Sequence, residues 1–310
     1  MKKEIAIAID GSVNCNQAVQ YAAAMYTSLP ELSFVLIHVQ AGLSQYLTEE
    51  AQRSLKAQRA LNKLIKANRE TSKQVIDKVR QQMIRQGIDP DRIETCSRIQ
   101  TTGIAEDLMD ECEGKSYDAI VLGRRGIGQL QELVTGSVTS SLIELANVVP
   151  LWMVDGEVAD NGVVLAADGS QNSLRALDHL AFMLSGQEKA SIQILHVRPR
   201  FREVCEIKCD DETMATAREI LLDGDRHCID GFYSQAVEIV RKNGLNPDLM
   251  EIQTINSQIS IAGAVIDAAR KRGTGTIVVG RRGLKKGRST GSISRKIIQK
   301  SSKMAIWLVP

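Results

Sequence analysis

The chain has 310 residues, about twice the usual size of a domain, and its 39 Lys and Arg nearly balance 37 Asp and Glu for a formal net charge of +2. That balance argues against a protein that neutralises a phosphate backbone, and 4% aromatic residues leave little for stacking on bases, so no nucleic-acid partner is expected. Cysteines at 15, 96, 112, 205, 209 and 228 lack the dense spacing of a disulfide framework, and no apolar run reaches the ~18 residues of a membrane span; a soluble cytoplasmic protein is expected.

The N-terminal MKKEIAIAID has two lysines and a short apolar run, but Glu4 and Asp10 interrupt it and no cleavage pattern follows, so it reads as a strand rather than a leader. Strands are predicted near residues 4–9, 33–39, 93–99, 118–122 and 151–154, where β-branched and apolar residues cluster. Helices are predicted after Asn14, after Gly103 and from Ser137, with a long charged helical region from about Thr48 to Gln86. IAIAI, FVLIHV and AIVLG are nearly continuously apolar, which suits strands covered on both faces. Strands alternating with helices in this way predict a parallel sheet.

The second half repeats the first. EIAIAIDGSVNCNQAVQYA returns as GVVLAADGSQNSLRALDHLA, mapping Asp10 onto Asp168, and SFVLIHV returns as SIQILHV at the same offset of 158. DAIVLGRRG and GTIVVGRRG pair Gly123 with Gly280; TGSVTSSLIELANVVPLWMV and TGSISRKIIQKSSKMAIWLV pair Gly136 with Gly291 and Trp152 with Trp307. A charged stretch from about Asp211 to Asn243 answers the long helical region of the first half. A period of this length duplicates a whole fold. The expected fold class is therefore α/β, two tandem doubly wound, Rossmann-like five-stranded parallel sheets flanked by helices, with domains at 1–156 and 161–310. The short polar linker DGEVADN, residues 155–161, favours halves packed as a pseudo-dimer.

In an open parallel sheet, ligands sit beyond the carboxyl ends of the strands where strand order reverses. Asp10, Gly11 and Ser12 follow the first strand, and GRRGIGQLQELVTGS runs from the fourth strand into the helix at Ser137. Glycines let backbone approach a phosphate, and free amides at a helix start favour an anion. The same glycines would also serve a plain strand-to-helix turn. Recurrence in both halves, beside an acidic residue ending the first strand, favours a ligand.

These residues resemble the universal stress protein family, whose ATP-binding members carry G-x2-G-x9-G-[S/T]. The first half reads Gly123, Gly126, nine residues, Gly136, Ser137, and the D-G-S, H-V and Pro150 motifs also look like the family, so the likeness spans the chain twice over. The resemblance implies Asp10 near the nucleoside, main-chain contacts from Val39 to adenine, Gly123 under the ribose, and phosphates held by Gly126, Gly136, Ser137 and Thr139, with ATP accompanied by Mg²⁺. Asp168, Val197, Gly280, Gly283, Gly291, Ser292 and Ser294 match in the second half, but seven residues, LKKGRST, replace nine between Gly283 and Gly291. That shortened loop must meet phosphates differently. Its Lys285, Lys286 and Arg288 either supply charge to an anion or form a solvated basic surface.

No metal site and no catalytic residue are expected. Cys205, Cys209, His227 and Cys228 fit no tight zinc spacing, and His38 and His196 read as packed strand-end histidines, with no partner carboxylate repeated beside them. Between Glu49 and Arg85 ten basic residues face four acidic ones, which reads as the wet face of an amphipathic helix, with a membrane or acidic-partner surface as the alternative. The expected function is a stress-response or regulatory module that binds an adenine nucleotide, with slow ATP hydrolysis or phosphotransfer, or a nucleotide-free interaction protein, as alternatives. A homodimer through the last strands, LWMV and IWLV, is a further implication of the resemblance.

Overall fold

The computed structural model describes residues 2–124, 137–158, 162–187, 191–198, 211–256, 260–283 and 290–310. The chain divides into two compact units, Met1–Gly156 and Glu157–Pro310.

The first unit runs β1 (Lys3–Ala8), α1 (Val13–Ser28), β2 (Leu32–Gln40), α2 (Gln45–Ala51), α3 (Leu55–Arg85), β3 (Ile93–Ile99), α4 (Ile104–Lys115), β4 (Ala119–Gly123), α5 (Ser137–Leu145) and β5 (Leu151–Asp155). Its strands lie in the order β3-β2-β1-β4-β5, every neighbouring pair parallel. The chain builds outward from β1 to β3 and then returns to β4, so the order reverses between β1 and β4. Right-handed crossovers then set α1 and α3 on one face of the sheet and α4 and α5 on the other; accordingly α1 packs on α3 and α4 on α5. Ile5, Ile7, Phe34, Leu36 and Trp152 are fully buried between these layers.

The second unit repeats the plan with β6 (Val163–Ala167), α6 (Gln171–Leu184), β7 (Ile192–Arg198), α7 (Asp211–Lys242), β8 (Met250–Asn256), α8 (Ile261–Lys271), β9 (Thr276–Gly280), α9 (Ser292–Lys300) and β10 (Met304–Val309). The order is β8-β7-β6-β9-β10, again parallel throughout. The fold class expected from the repeat, a duplicated doubly wound α/β sheet, is the one observed.

Local starts differ from the sequence reading where capping decides them. The first helix begins at Val13 rather than after Asn14, because the Ser12 hydroxyl accepts the Cys15 N–H at 3.2 Å and caps it. The long region from Thr48 to Gln86 is two helices rather than one. Ser54 lies between them in extended conformation, and its hydroxyl accepts the Ala57 N–H at 3.4 Å to restart the helix.

Candidate functional site

The turn after β1 is built by its own side chains. Gly11 takes φ +75°, a left-handed conformation that favours glycine, and the Asp10 carboxylate accepts the Ser12 N–H at 2.9 Å. Asp10 is left exposed at the C-terminal edge of the sheet. Next to it, Ile9 N–H donates to the Ile37 carbonyl at 2.9 Å, while on the other side of β2 Gln100 N–H donates to the Gln40 carbonyl at 3.1 Å. Ladder alternation then turns the Val39 carbonyl toward the β1 side, past the point where β1 has ended.

A cavity of about 160 Å³ lies beyond these strand ends, at the point where strand order reverses. Five residues singled out from sequence, Asp10, Val39, Gly123, Ser137 and Thr139, share its lining. Gly126 and Gly136 lie outside the described residues. The cavity has two kinds of wall: Ile37, Ile104, Leu108 and Leu142 supply an apolar one, and Asp10, Ser12, Asn14, Ser137 and Thr139 a polar one. Sequence reasoning missed the apolar wall. Its signal is the Ile104 and Leu108 pair, spaced four apart at the start of α4, which marks a helix face without saying what the face meets.

Gly123 has a reason of its own. A Cβ at this position would run into the backbone carbonyl of Asn14, so β4 approaches the first turn of α1 more closely than any side chain permits. One residue on, Arg124 is buried and its guanidinium meets the Asp155 carboxylate at 3.1 Å, while its N–H donates to the Val154 carbonyl at 2.7 Å. The first arginine of GRRG thus anchors the start of the loop against β5. Cys15, also at the cavity, is buried, and burial raises its thiol pKa, which keeps it protonated.

The histidines tie the long helices to the sheets. His38 Nδ1 lies 2.9 Å from the Ser72 hydroxyl of α3, which continues to Ser97 at 2.6 Å and so to Gln40. Burial lowers the His38 pKa against the opposing pull of the Asp10 charge. His196 is buried at the end of β7, and its carboxylate partner comes from far along the chain: Nε2 lies 2.9 Å from Asp225 of α7, and Nδ1 lies 3.0 Å from the Ala167 carbonyl. Arg198 reaches the other oxygen of Asp225 at 3.3 Å.

In the second unit the matching residues are engaged with one another. Asp168 accepts the Ser170 N–H at 3.0 Å and the Ser173 hydroxyl at 2.7 Å, where the first unit has Cys15 in place of a serine. Gly280 packs on the backbone of Asn172, and Gly283 lies so near Asp168 that a Cβ would stand 2.5 Å from its carboxylate. Gly291 N–H donates to the Arg281 carbonyl at 2.7 Å, and the Ser294 hydroxyl donates to the Gly280 carbonyl at 2.8 Å. Ser292 opens α9 exposed, and Val197 is buried in β7. Lys285, Lys286, Arg288, Cys205 and Cys209 lie outside the described residues. Among the described residues no group of three His, Cys, Asp or Glu is placed to hold a metal, and no helix is long and apolar enough to cross a membrane.

Comparison with known proteins agrees with this geometry at the level of fold. The family model described as the universal stress protein family matches residues 1–155 and again 161–309. A universal stress protein from Archaeoglobus fulgidus DSM 4304 superposes with TM-score 0.64 at 16% identity, covering 100% of this chain and 98% of its own. A structure from Pseudomonas aeruginosa UCBPP-PA14, described under the same family name, has TM-score 0.50 at 14% identity, covering 99% and 92%. Among curated proteins none matches this chain at a significant level.

Proposed function

The chain belongs to the universal stress protein family in both of its halves, and from that premise we propose that it is a cytoplasmic stress-response module whose first unit binds ATP between the β1 turn and the loop leading into α5. The observation that carries this reading is the cavity at the reversal of strand order, lined together by Asp10, Val39, Gly123, Ser137 and Thr139. Its walls suit the parts of a nucleotide. The apolar side formed by Ile37, Ile104, Leu108 and Leu142 suits a planar base, whose edge the Val39 carbonyl can read as a neighbouring strand would. Asp10 suits a sugar hydroxyl as acceptor, and the start of α5, with the hydroxyls of Ser137 and Thr139, suits an anion. Gly126 and Gly136 complete the phosphate side in this reading, and Mg²⁺ arrives with the phosphates, whose charge it neutralises.

Binding, with occupancy altering conformation or partners, is favoured over chemistry. The two loops repeat no base or nucleophile in sequence and carry no Walker-type G-K-[S/T], the pattern of phosphoryl transfer. Equilibrium dialysis of the full chain against labelled ATP tests the proposal. Saturable binding at cellular ATP concentration is expected, lost in Gly136→Val because the new side chain fills phosphate space; absence of binding, or unchanged stoichiometry in that variant, overturns it.

A further inference from the structure

The helices α3 and α7 hold corresponding places in the duplicated sequence and carry opposite charge. From Arg53 to Arg69 there are six basic residues and no acidic one, whereas from Asp211 to Asp230 six acidic residues stand against two arginines. The charge is also concentrated on the outer face of each helix. The buried residues of α3, Ser72, Ile76, Val79 and Met83, all fall in its C-terminal half; its N-terminal half turns Ala57, Leu61, Ile65 and Asn68 partly inward. At about 100° per residue, Lys56, Arg59, Lys63 and Lys66 fall within an arc of about 80° opposite that inward stripe, and all four are exposed. On α7, Glu212, Glu219, Asp223 and Asp230 fall within about 40° of one another, turned away from the side that buries Phe232 and Ala236, and they too are exposed.

Apolar residues accompany both stripes. Leu55, at the edge of the basic arc on α3, is 73% exposed, and on α7 Ile220 and Leu222 lie on either side of the acidic arc, 66% and 39% exposed. Lys56, Arg59, Lys63 and Lys66 repel one another along α3, and on α7 Glu212, Glu219 and Asp230 do so beside Asp223, whose carboxylate Arg226 of the same face meets at 3.6 Å; a face of the opposite sign relieves that repulsion while the flanking apolar side chains leave water. Each chain therefore carries both members of a complementary pair.

We propose that copies of this chain associate through α3 of one copy and α7 of another. Lys56, Arg59, Lys63 and Lys66 of the first copy face Glu212, Glu219, Asp223 and Asp230 of the second. The occupant is a second copy because the acidic stripe that answers the basic one is supplied by the chain itself, the basic stripe of about 15 Å fitting within the acidic one of about 27 Å.

The test uses sedimentation of the full chain and two charge-reversed forms. One carries Lys56→Glu, Arg59→Glu, Lys63→Glu and Lys66→Glu; the other carries Glu212→Lys, Glu219→Lys, Asp223→Lys and Asp230→Lys. The native chain is expected to associate, more weakly as salt rises from about 0.05 M to about 0.5 M. Each reversed form alone, checked for native helicity by circular dichroism, is expected to dissociate at concentrations about tenfold higher or more than the native chain. An equimolar mixture of the two is expected to recover the native mass, since the acidic α3 of one form meets the basic α7 of the other. A native chain that sediments as a monomer at every salt concentration, reversals without effect on mass, or a mixture that stays dissociated would overturn the proposal. So would a monomeric native chain that loses binding to anionic phospholipid vesicles on reversal of α3, which would give that stripe to a membrane surface. The salt titration of the native chain keeps the proposal testable if a reversed form fails to fold.

Discussion

At Gly123 the side chain is excluded by backbone rather than by a ligand, and this separates two jobs that one glycine motif combines. A Cβ there collides with the Asn14 carbonyl, while at Gly291 the nearest atom to a Cβ is 3.4 Å away. Gly123→Ala is expected to lower stability by about 2 kcal/mol or more, as forced backbone shifts do, and Gly291→Ala by much less; urea unfolding of both variants checks the ordering. Single residues also carry a pH response. His179 packs its ring edge-on against Trp307 at 5.7 Å, and burial lowers its pKa from 6.5 to about 3. Between those values the unfolded chain binds the proton that the folded chain refuses. Stability is therefore full above about pH 6.5 and falls as the pH drops toward 3, by at most about 1.4 kcal/mol per pH unit. The first unit has Tyr21 at the matching position, so His179→Tyr is expected to flatten this limb between pH 6.5 and 5. An unchanged slope in thermal unfolding would assign the acid sensitivity elsewhere.

Among elements, the connection from β3 to α4 is the one a single side chain holds. Asp107 is buried, and its carboxylate accepts the Thr101 N–H at 2.7 Å, the Thr101 hydroxyl at 2.5 Å and the Thr102 N–H at 3.4 Å. Burial alone would push its pKa up, but the bonds from Thr101 and Thr102 outweigh that and hold it below its usual value. Asp107→Asn replaces one acceptor oxygen by a donor, and a loss of about 1–3 kcal/mol is expected in urea, with weaker ATP binding because Ile104, three residues earlier, lines the cavity. Elements of this kind show what the sequence could tell. The strands were legible because runs such as FVLIHV are apolar enough to be covered on both faces, and the D-G-S turns because glycine at positive φ leaves a mark in sequence. The break at Ser54 was not, since a serine inside a charged helical stretch looks the same whether it caps or points to solvent. Asp225 was missed for a different reason: it meets His196 across 29 residues of chain, a pairing made by packing of α7 rather than by spacing. For the site, the polar residues at strand ends were readable, and the apolar wall from α4 was not, because an amphipathic face does not name its neighbour.

Across the whole molecule, duplication gave two copies of one plan that have diverged at the ligand end, and nucleotide stoichiometry follows from the divergence. In the first unit the Asp10 carboxylate opens onto a cavity. In the second, Asp168 is engaged by Ser170 and Ser173, the latter standing where the first unit has Cys15. Cys228 of α7 presses against Gly169 and brings its thiol to the Asp168 carbonyl at 3.8 Å. The Gly291 amide and the Ser294 hydroxyl, which a phosphate would need, already donate to Arg281 and Gly280. Binding there would first have to break contacts the unit makes with itself. One nucleotide per chain is therefore expected. Asp10→Ala should weaken binding about 10–100-fold, the range for losing a hydrogen bond to a charged group, whereas Asp168→Ala should leave both affinity and stoichiometry of the first site as they were. Titration calorimetry separates these outcomes: two equivalents bound by the native chain, falling to one in Asp168→Ala, would show that the second unit opens to ligand despite its internal hydrogen bonds.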